Sequence, residues 1–206
     1  MENHLVCILD YGSGNVKSVL NSLLRLGYLA EISNDPGVIR NATHLVLPGV
    51  GSFEKSMNRI KEKIPLELLF REIETGKPFL GICVGMQVFA TNGTEYGNWK
   101  GLNLIENSLV DEIKTELSKP HIGWNNIKIR NKHPILHNID DDSDFYFLHS
   151  YAFTSIDKNL VIATCDYGSE FPAIVAYKNI VGTQFHPEKS QEKGLQVLKN
   201  FMDWQP

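Results

Sequence analysis

Lys77-Pro-Phe-Leu-Gly-Ile-Cys83-Val-Gly-Met-Gln87 joins two apolar runs across a single cysteine. Pro78 to Ile82 reads as a short buried strand and Val84 to Thr91 as a helix. Gly81 and Gly85 flank Cys83 two residues to either side. That is the Gly-x-nucleophile-x-Gly pattern of a strand-to-helix elbow, with Cys in place of Ser. The turn is tight, and larger side chains at the flanking positions would collide. It exposes the sulfur at the sheet edge, at a helix N-terminus whose dipole favours thiolate over thiol. A free cysteine on an apolar strand is more often a structural one, which is the reading for Cys7 and Cys165. Cys83 is decided by the rest of the chain.

Upstream of the elbow, strand-like and helix-like segments alternate. Leu5 to Leu9 reads as a buried strand. Val16 to Leu26 is helical, with Val16, Val19, Leu20, Leu23 and Leu24 on one face and Gly27 closing it. Tyr28 to Ile32 and Thr43 to Leu47 are further strands, and Phe53 to Thr75 is helical with a break near Pro65. Downstream, Leu104 to Ile113, Ile122 to Arg130, Asp144 to Phe153, Val161 to Cys165, Ala173 to Tyr177 and Ile180 to Phe185 read as strands joined by short turns. A last helix covers Glu192 to Asp203. The first half predicts a mainly parallel sheet flanked by helices, and the second half adds a smaller antiparallel sheet. The expected architecture is a three-layer α/β fold in one domain over residues 1–206.

Bulk properties bound the function. The 206 residues suffice for a sizeable core, and 42% hydrophobic with 21% charged residues describes a globular chain. A net charge of −4, with the basic residues scattered, excludes a nucleic-acid-binding stripe. Met1 to His4 is polar and the apolar run after it is too short for a signal core or a membrane span. No lipidation motif is present. Three cysteines without CxxC spacing support neither a disulfide framework nor a zinc site. The expectation is a cytoplasmic enzyme that engages neither membrane nor nucleic acid.

The partners for a nucleophilic Cys83 come from Ile180-Val-Gly-Thr-Gln-Phe-His186-Pro-Glu188-Lys189-Ser190. A strand ends at His186, Pro187 fixes the backbone, and Glu188 follows. A base must reach the thiol, and a carboxylate must hold the imidazole in the right tautomer. Residues just beyond a strand end can both turn to the edge where Cys83 sits. A surface-loop histidine is the plain alternative for His186 taken alone. For the oxyanion, Val84 N–H is one donor, and the loop Leu47-Pro-Gly49-Val50-Gly51-Ser-Phe53 can bring its backbone close to a substrate.

Together, Pro48-Gly-Val-Gly-Ser-Phe53, Gly81-Ile-Cys-Val-Gly-Met-Gln87 and His186-Pro-Glu-Lys-Ser190 resemble the motifs of class I glutamine amidotransferases. Asp10-Tyr-Gly-Ser-Gly-Asn15, Pro120-His-Ile-Gly-Trp-Asn125 and Tyr146-Phe-Leu-His-Ser-Tyr151 resemble, more narrowly, the glutaminase subunits of imidazole glycerol phosphate synthase. The resemblance covers essentially the whole chain. It implies a triad of Cys83, His186 and Glu188. The oxyanion strand is placed at Gly49, Val50 and Gly51, which in the family can need a peptide flip to become competent. L-glutamine is implied to bind at Gly49, Gln87, Ser150 and Tyr151. Asn15, Trp124 and Lys189 fall where the family faces a barrel-shaped cyclase subunit in a heterodimer, across which ammonia passes. The chemistry so implied calls for neither cofactor nor metal.

Three departures bear on the acceptor: Val84 in place of the commoner Leu, Lys119 before Pro120, and a stretch Leu104 to Val110 without the customary glycine and later arginine. A paralogous glutaminase feeding amidation of a surface-polysaccharide sugar is therefore an alternative acceptor assignment. A cysteine peptidase on the same elbow would lack the His-Ser-Tyr segment and the His-Pro-Glu-Lys tail. A non-enzymatic module would use the elbow cysteine to sense oxidants.

Other features read as bland. Gly12-Ser-Gly14 lacks the third glycine of a dinucleotide loop. Asp140 to Asp144 is too short for a calcium loop. His133 and His137 are separated by Pro134, and His4 and His44 read as incidental. His149 is expected to pack beside the pocket rather than to react.

Overall fold

The computed structural model describes residues 5–206; Met1–His4, and the reading of His4 with them, lie outside the described residues. The chain runs β1 (Leu5–Ile8), α1 (Val16–Arg25), β2 (Leu29–Ile32), α2 (Pro36–Asn41), β3 (His44–Gly49), α3 (Phe53–Lys63), α4 (Leu66–Glu74), β4 (Phe79–Cys83) and α5 (Val84–Gln87). It continues through β5 (Ala90–Gly93), β6 (Trp99–Lys100), β7 (Ile105–Glu112), β8 (His121–Asn126), β9 (Lys128–Ile129), β10 (Asp144–His149) and β11 (Tyr151–Ser155). It ends with β12 (Val161–Asp166), β13 (Glu170–Tyr177), β14 (Ile180–Thr183), a 3-10 turn at Pro187–Lys189 and α6 (Gln191–Asp203).

The main sheet has eight strands in the order β2-β1-β3-β4-β14-β13-β12-β9. The first five are parallel, and β14 to β9 continue antiparallel. The inner parallel strands β1, β3, β4 and β14 are almost fully buried, as strands covered on both faces must be, while the edge strand β2 is not. A four-stranded sheet β11-β7-β5-β6 and the β10-β8 pair are the added sheets. The former carries one parallel pair, β5 with β7. One hydrophobic cluster runs from β1 to Trp204. Among the described residues no helix is long and apolar enough to cross a membrane.

Several boundaries differ from the sequence reading. The helix expected over Val84 to Thr91 stops at Gln87, and Ala90–Gly93 turns into β5. Asp144 to Phe153 is two strands in different sheets, split at Ser150, and Ile122 to Arg130 is likewise split at Ile127. The periodicity does not reveal α2, six residues capped by the Asp35 carboxylate, which accepts from Gly37 N and Val38 N.

Two registers position the site. Gly49 lies opposite Cys83, so β3 ends beside the nucleophile. Thr183 lies opposite Ile82, so the chain leaving β14 emerges at the same edge. The elbow between β4 and α5 is packed backbone to backbone. A Cβ on Gly81 would lie 2.6 Å from Gly85 O, and one on Gly85 only 1.8 Å from Leu47 O. No rotamer change relieves a clash with a carbonyl. Gly85→Ala is expected to cost about 3 kcal/mol, at the upper end for overpacking. The denaturant midpoint should fall accordingly; an unchanged midpoint would show that β3 can move away.

Candidate active site

Cys83 sits at φ 55°, ψ −112°, a left-handed conformation that a side-chain-bearing residue adopts at a cost of about 1–3 kcal/mol. The glycines on either side allow that conformation by letting β3, β4 and α5 close around it. The sulfur lies 3.7 Å from Leu148 O and 3.7 Å from Gln184 Nε2. With only four residues, α5 supplies a short dipole, so the elbow's main contribution is positional. Val84 is the first residue of α5, where an N–H has no partner inside the helix.

His186 and Glu188 follow β14 through the 3-10 turn. His186 Nδ1 lies 2.8 Å from Glu188 Oε1, and both side chains have no exposed surface. With Nδ1 on the carboxylate, Nε2 is the atom left for proton transfer; it makes no hydrogen bond of ordinary length. Burial opposes a charged imidazole here, but the Cys83 sulfur and the Glu188 carboxylate outweigh it and raise the His186 pKa to about 10. Cys7 and Cys165 behave differently: burial pushes both thiols up to about 12, which keeps them unreactive.

Around Cys83 is a cavity of about 170 Å³ lined by Val50, Gly51, Cys83, Val84, Gln87, Glu95, His149, Ser150 and Tyr151 among others. That is small beside the roughly 300–1,000 Å³ of drug-sized pockets and suits one amino acid. Val50 and Gly51 (φ +110°) bring the end of β3 to the same space. Gly49 lies behind the lining: a Cβ there would meet Tyr11 Oη at 2.5 Å and Gly85 N at 2.6 Å. Gln87 is almost fully buried, and its amide donates to Tyr151 O (2.7 Å) and Gln184 Oε1 (3.1 Å).

The residues assigned by resemblance to a partner face divide. Trp124 is 48% exposed and Lys189 is exposed. Trp124 packs edge-on to Tyr146 at 6.2 Å, and Lys189 Nζ lies 5.7 Å from the centre of the Tyr146 ring. These three side chains make a ridge next to the triad turn. Asn15 lies inside: it is 4% exposed, and its amide donates to Glu188 Oε1, which also bonds the imidazole. Asparagine is a preferred N-cap, and Asn15 stands at the N-cap of α1, yet it makes no capping bond.

Two site residues escape the sequence reading. Glu95 is the one acidic side chain lining the cavity; it accepts from Phe53 N at 2.7 Å, and burial raises its pKa. It stands in a polar loop with no motif around it. Gln184, fully buried between Cys83 and Gln87, was legible as an amide inside an otherwise apolar strand end. Among the described residues no group of His, Cys, Asp or Glu could hold a metal ion.

Residues 7–204 match the model of glutamine amidotransferase class-I, and the chain belongs to that family. It is 43% identical over 205 residues to imidazole glycerol phosphate synthase subunit HisH of Syntrophotalea carbinolica, covering 97% of this chain and all of that one. It is 44% identical over 201 residues to the HisH subunit of Methanosarcina barkeri, covering 96% and 98% of the two chains. In fold it is similar to a glutamine amidotransferase crystal structure (TM-score 0.75, 17% identity, 96% and 97% coverage). It is equally similar to PurLQS of Thermotoga maritima (TM-score 0.75, 18% identity, 98% of each chain).

Two outcomes follow from the geometry. Asn15→Ala should lower kcat for glutamine hydrolysis about ten- to hundredfold, the range for one hydrogen bond to a charged group. Its melting temperature should fall as well, because a buried carboxylate loses a donor worth about 1.5–3 kcal/mol; an unchanged kcat would show that Glu188 holds His186 unaided. The raised His186 pKa also predicts an alkaline trend. Its stabilising contribution is complete below about pH 6.5, the unfolded value, and is lost as pH rises towards about 10. Denaturant midpoints of wild type and His186→Asn should therefore converge over that window, and a constant gap would contradict the charged imidazole.

Proposed function

We propose that this chain is the glutaminase subunit of an imidazole glycerol phosphate synthase. It hydrolyses L-glutamine to glutamate and ammonia, and it passes the ammonia to a (β/α)-barrel cyclase subunit of a heterodimer. In histidine biosynthesis that subunit makes imidazole glycerol phosphate and an aminoimidazole carboxamide ribonucleotide. The observation that carries the reading is the buried Cys83–His186–Glu188 constellation opening onto an amino-acid-sized cavity. Full-length relatives named as HisH subunits supply the acceptor.

The mechanism follows from the charges. Cys83 Sγ attacks the side-chain amide carbon of glutamine, and the C=O π electrons move onto oxygen. N–H groups of Val84 and of the Val50–Gly51 segment receive that oxyanion; one such donor is worth about 3–4 kcal/mol. His186 Nε2 gives its proton to the amide nitrogen, the C–N bond breaks, and ammonia leaves a glutamyl thioester on Cys83. His186, now neutral, takes a proton from water as the water attacks the thioester, and glutamate leaves as the C–S bond breaks. Glu188 holds Nδ1–H throughout and stabilises each imidazolium. The half-buried Glu95 carboxylate is the cavity's counter-charge for the substrate α-ammonium. Ser150 and Tyr151 close the other side.

The ridge of Trp124, Tyr146 and Lys189 is the proposed docking face for the cyclase. It carries an exposed aromatic, a residue type favoured at interfaces, with the Lys189 ammonium held over the Tyr146 ring beside the triad turn. Tyr146 is also tied to that turn: His186 N donates to Tyr146 O (2.9 Å), and Tyr146 N donates to Ser190 Oγ (3.0 Å).

Glutamate release by the chain alone, then with a cyclase subunit and its ribonucleotide, tests the reading. A large rise with the liganded partner is expected. Activity that ignores this partner would move the acceptor to another pathway, such as sugar amidation. Cys83→Ala should abolish glutamine-dependent synthesis by the complex while ammonium still supports it; normal hydrolysis by that variant would refute the assignment of the nucleophile.

A further inference from the structure

A hydrogen-bonded chain leads from the nucleophile to the exposed strand β8. Gln184 lies against Cys83 Sγ and accepts from Gln87, whose amide also donates to Tyr151 O. The same carbonyl lies 3.0 Å from His149 Nδ1. His149 Nε2 lies 3.3 Å from His121 Nδ1, and His121 Nε2 lies 3.3 Å from Asn125 Nδ2. Asn125 is itself fixed by a bond from Nδ2 to Asp166 O at 2.9 Å.

Chemistry determines where the protons sit. A carbonyl oxygen only accepts, so His149 must carry its proton on Nδ1. A neutral imidazole has one N–H, so His149 Nε2 accepts and His121 must carry its proton on Nδ1. His121 Nε2 is then an acceptor, which the Asn125 amide satisfies. Every bond from Asn125 to Tyr151 thus points one way, and a second proton on either ring would oppose two donors. Burial favours the neutral rings, pushing His121 down to about 4 and His149 to about 3, with the charges of His121 and His186 adding at His149. Packing fixes the rings in place. His121 stacks on Tyr167 at 4.0 Å and on Phe147 at 4.9 Å, and Phe171 packs edge-on to His149 at 4.8 Å.

We propose that His121 and His149 are positioning residues for glutamine: His121 fixes the tautomer of His149, whose Nδ1–H holds the Tyr151 carbonyl of the substrate pocket. The proposal rests on the glutaminase reading. Tyr151 begins β11, next to Ser150, where the chain passes from the β10-β8 pair to the four-stranded sheet. At that junction Ile113 N donates to Ser150 O, while the Tyr151 carbonyl is held by side-chain donors. Two of them, Gln87 and His149, meet on this carbonyl. The far end of the relay is Asn125, next to the exposed Trp124 on β8. A partner seated on β8 is therefore linked to the pocket through neutral, directional bonds.

His121→Phe keeps the stacked ring and removes the donor to His149 Nε2. His121→Asn keeps a donor near the Nδ1 position. His121→Phe should raise KM for glutamine about tenfold, the factor one ordinary hydrogen bond is worth, with kcat within about threefold of wild type. His121→Asn should restore KM. The ¹⁵N shifts of His149 should report a pure Nδ1–H tautomer in wild type and His121→Asn and a mixture in His121→Phe. An Nε2–H tautomer for His149 in wild type would overturn the proposal, as would a folded His121→Phe with wild-type KM. If His121→Phe does not fold, the wild-type tautomer alone decides. Absence of glutamate release by wild type with its partner would instead refute the glutaminase reading, and the tautomer result would stand apart from it.

Discussion

Backbone meets backbone where α5 crosses the end of β3, and the geometry around Cys83 depends on that approach. Only a residue without Cβ can stand at Gly85, with Leu47 O so close that an added Cβ would lie 1.8 Å away. Because the crossing is fixed by main-chain atoms, it transmits position without the slack of a rotamer. It sets the height of Cys83 above the sheet, the direction of Val84 N–H, and the distance from both to Val50 and Gly51. Gly49 extends the same constraint, since a Cβ there would collide with Gly85 N and the Tyr11 hydroxyl. The strained backbone of Cys83 is tolerable because its surroundings leave no relaxed alternative.

Within that frame the chain holds a concentrated set of charges away from water. Imidazole and carboxylate are both fully enclosed, which is unfavourable unless each is neutralised by a neighbour. The sulfur on one side of His186 and Glu188 on the other provide that neutralisation, and the raised pKa of the imidazole measures their combined attraction. Asn15 completes the arrangement by giving Glu188 a neutral donor. Its amide could have capped α1, a contribution of about 1 kcal/mol to many helices. That local stability is forgone in favour of the bond to Glu188, a local rule broken beside the cavity.

Much of this was legible in the sequence, for definite reasons. The inner parallel strands β3 and β4 are largely apolar runs because both their faces are buried, and α1 shows its stripe because one face is wet. The elbow declared itself through Gly81 and Gly85, whose spacing is a steric requirement. What escaped depends on contacts distant in the chain. The helix after Cys83 ends early because Ala90–Gly93 pairs with β7, and the close packing of Gly93 on Phe53 leaves no room for a helical side chain there. Nothing local to residues 88–91 encodes that. The break at Ser150 is similarly set by two sheets that compete for one segment. Glu95 looked like any loop carboxylate until folding brought it against the Phe53 amide.

The neutral groups of the pocket solve a different problem from the charged ones. A carboxylate or ammonium beside His186 would shift the balance that keeps the imidazole charged, because attraction at short range in a dry interior is strong. Beyond the Glu188 and Glu95 carboxylates, orientation close to His186 calls for dipoles without net charge. Gln184, Gln87, His149 and His121 fit that requirement: each is buried, each bonds its neighbour in the chain, and the two imidazoles are held neutral by burial. Such a chain fixes geometry while adding little field at the reacting atoms. It also separates two tasks that a single charged residue would couple, namely placing the substrate and tuning the base. The Cys83–His186–Glu188 group thus meets Asn15 on one side, and the cavity meets the chain to β8 on the other.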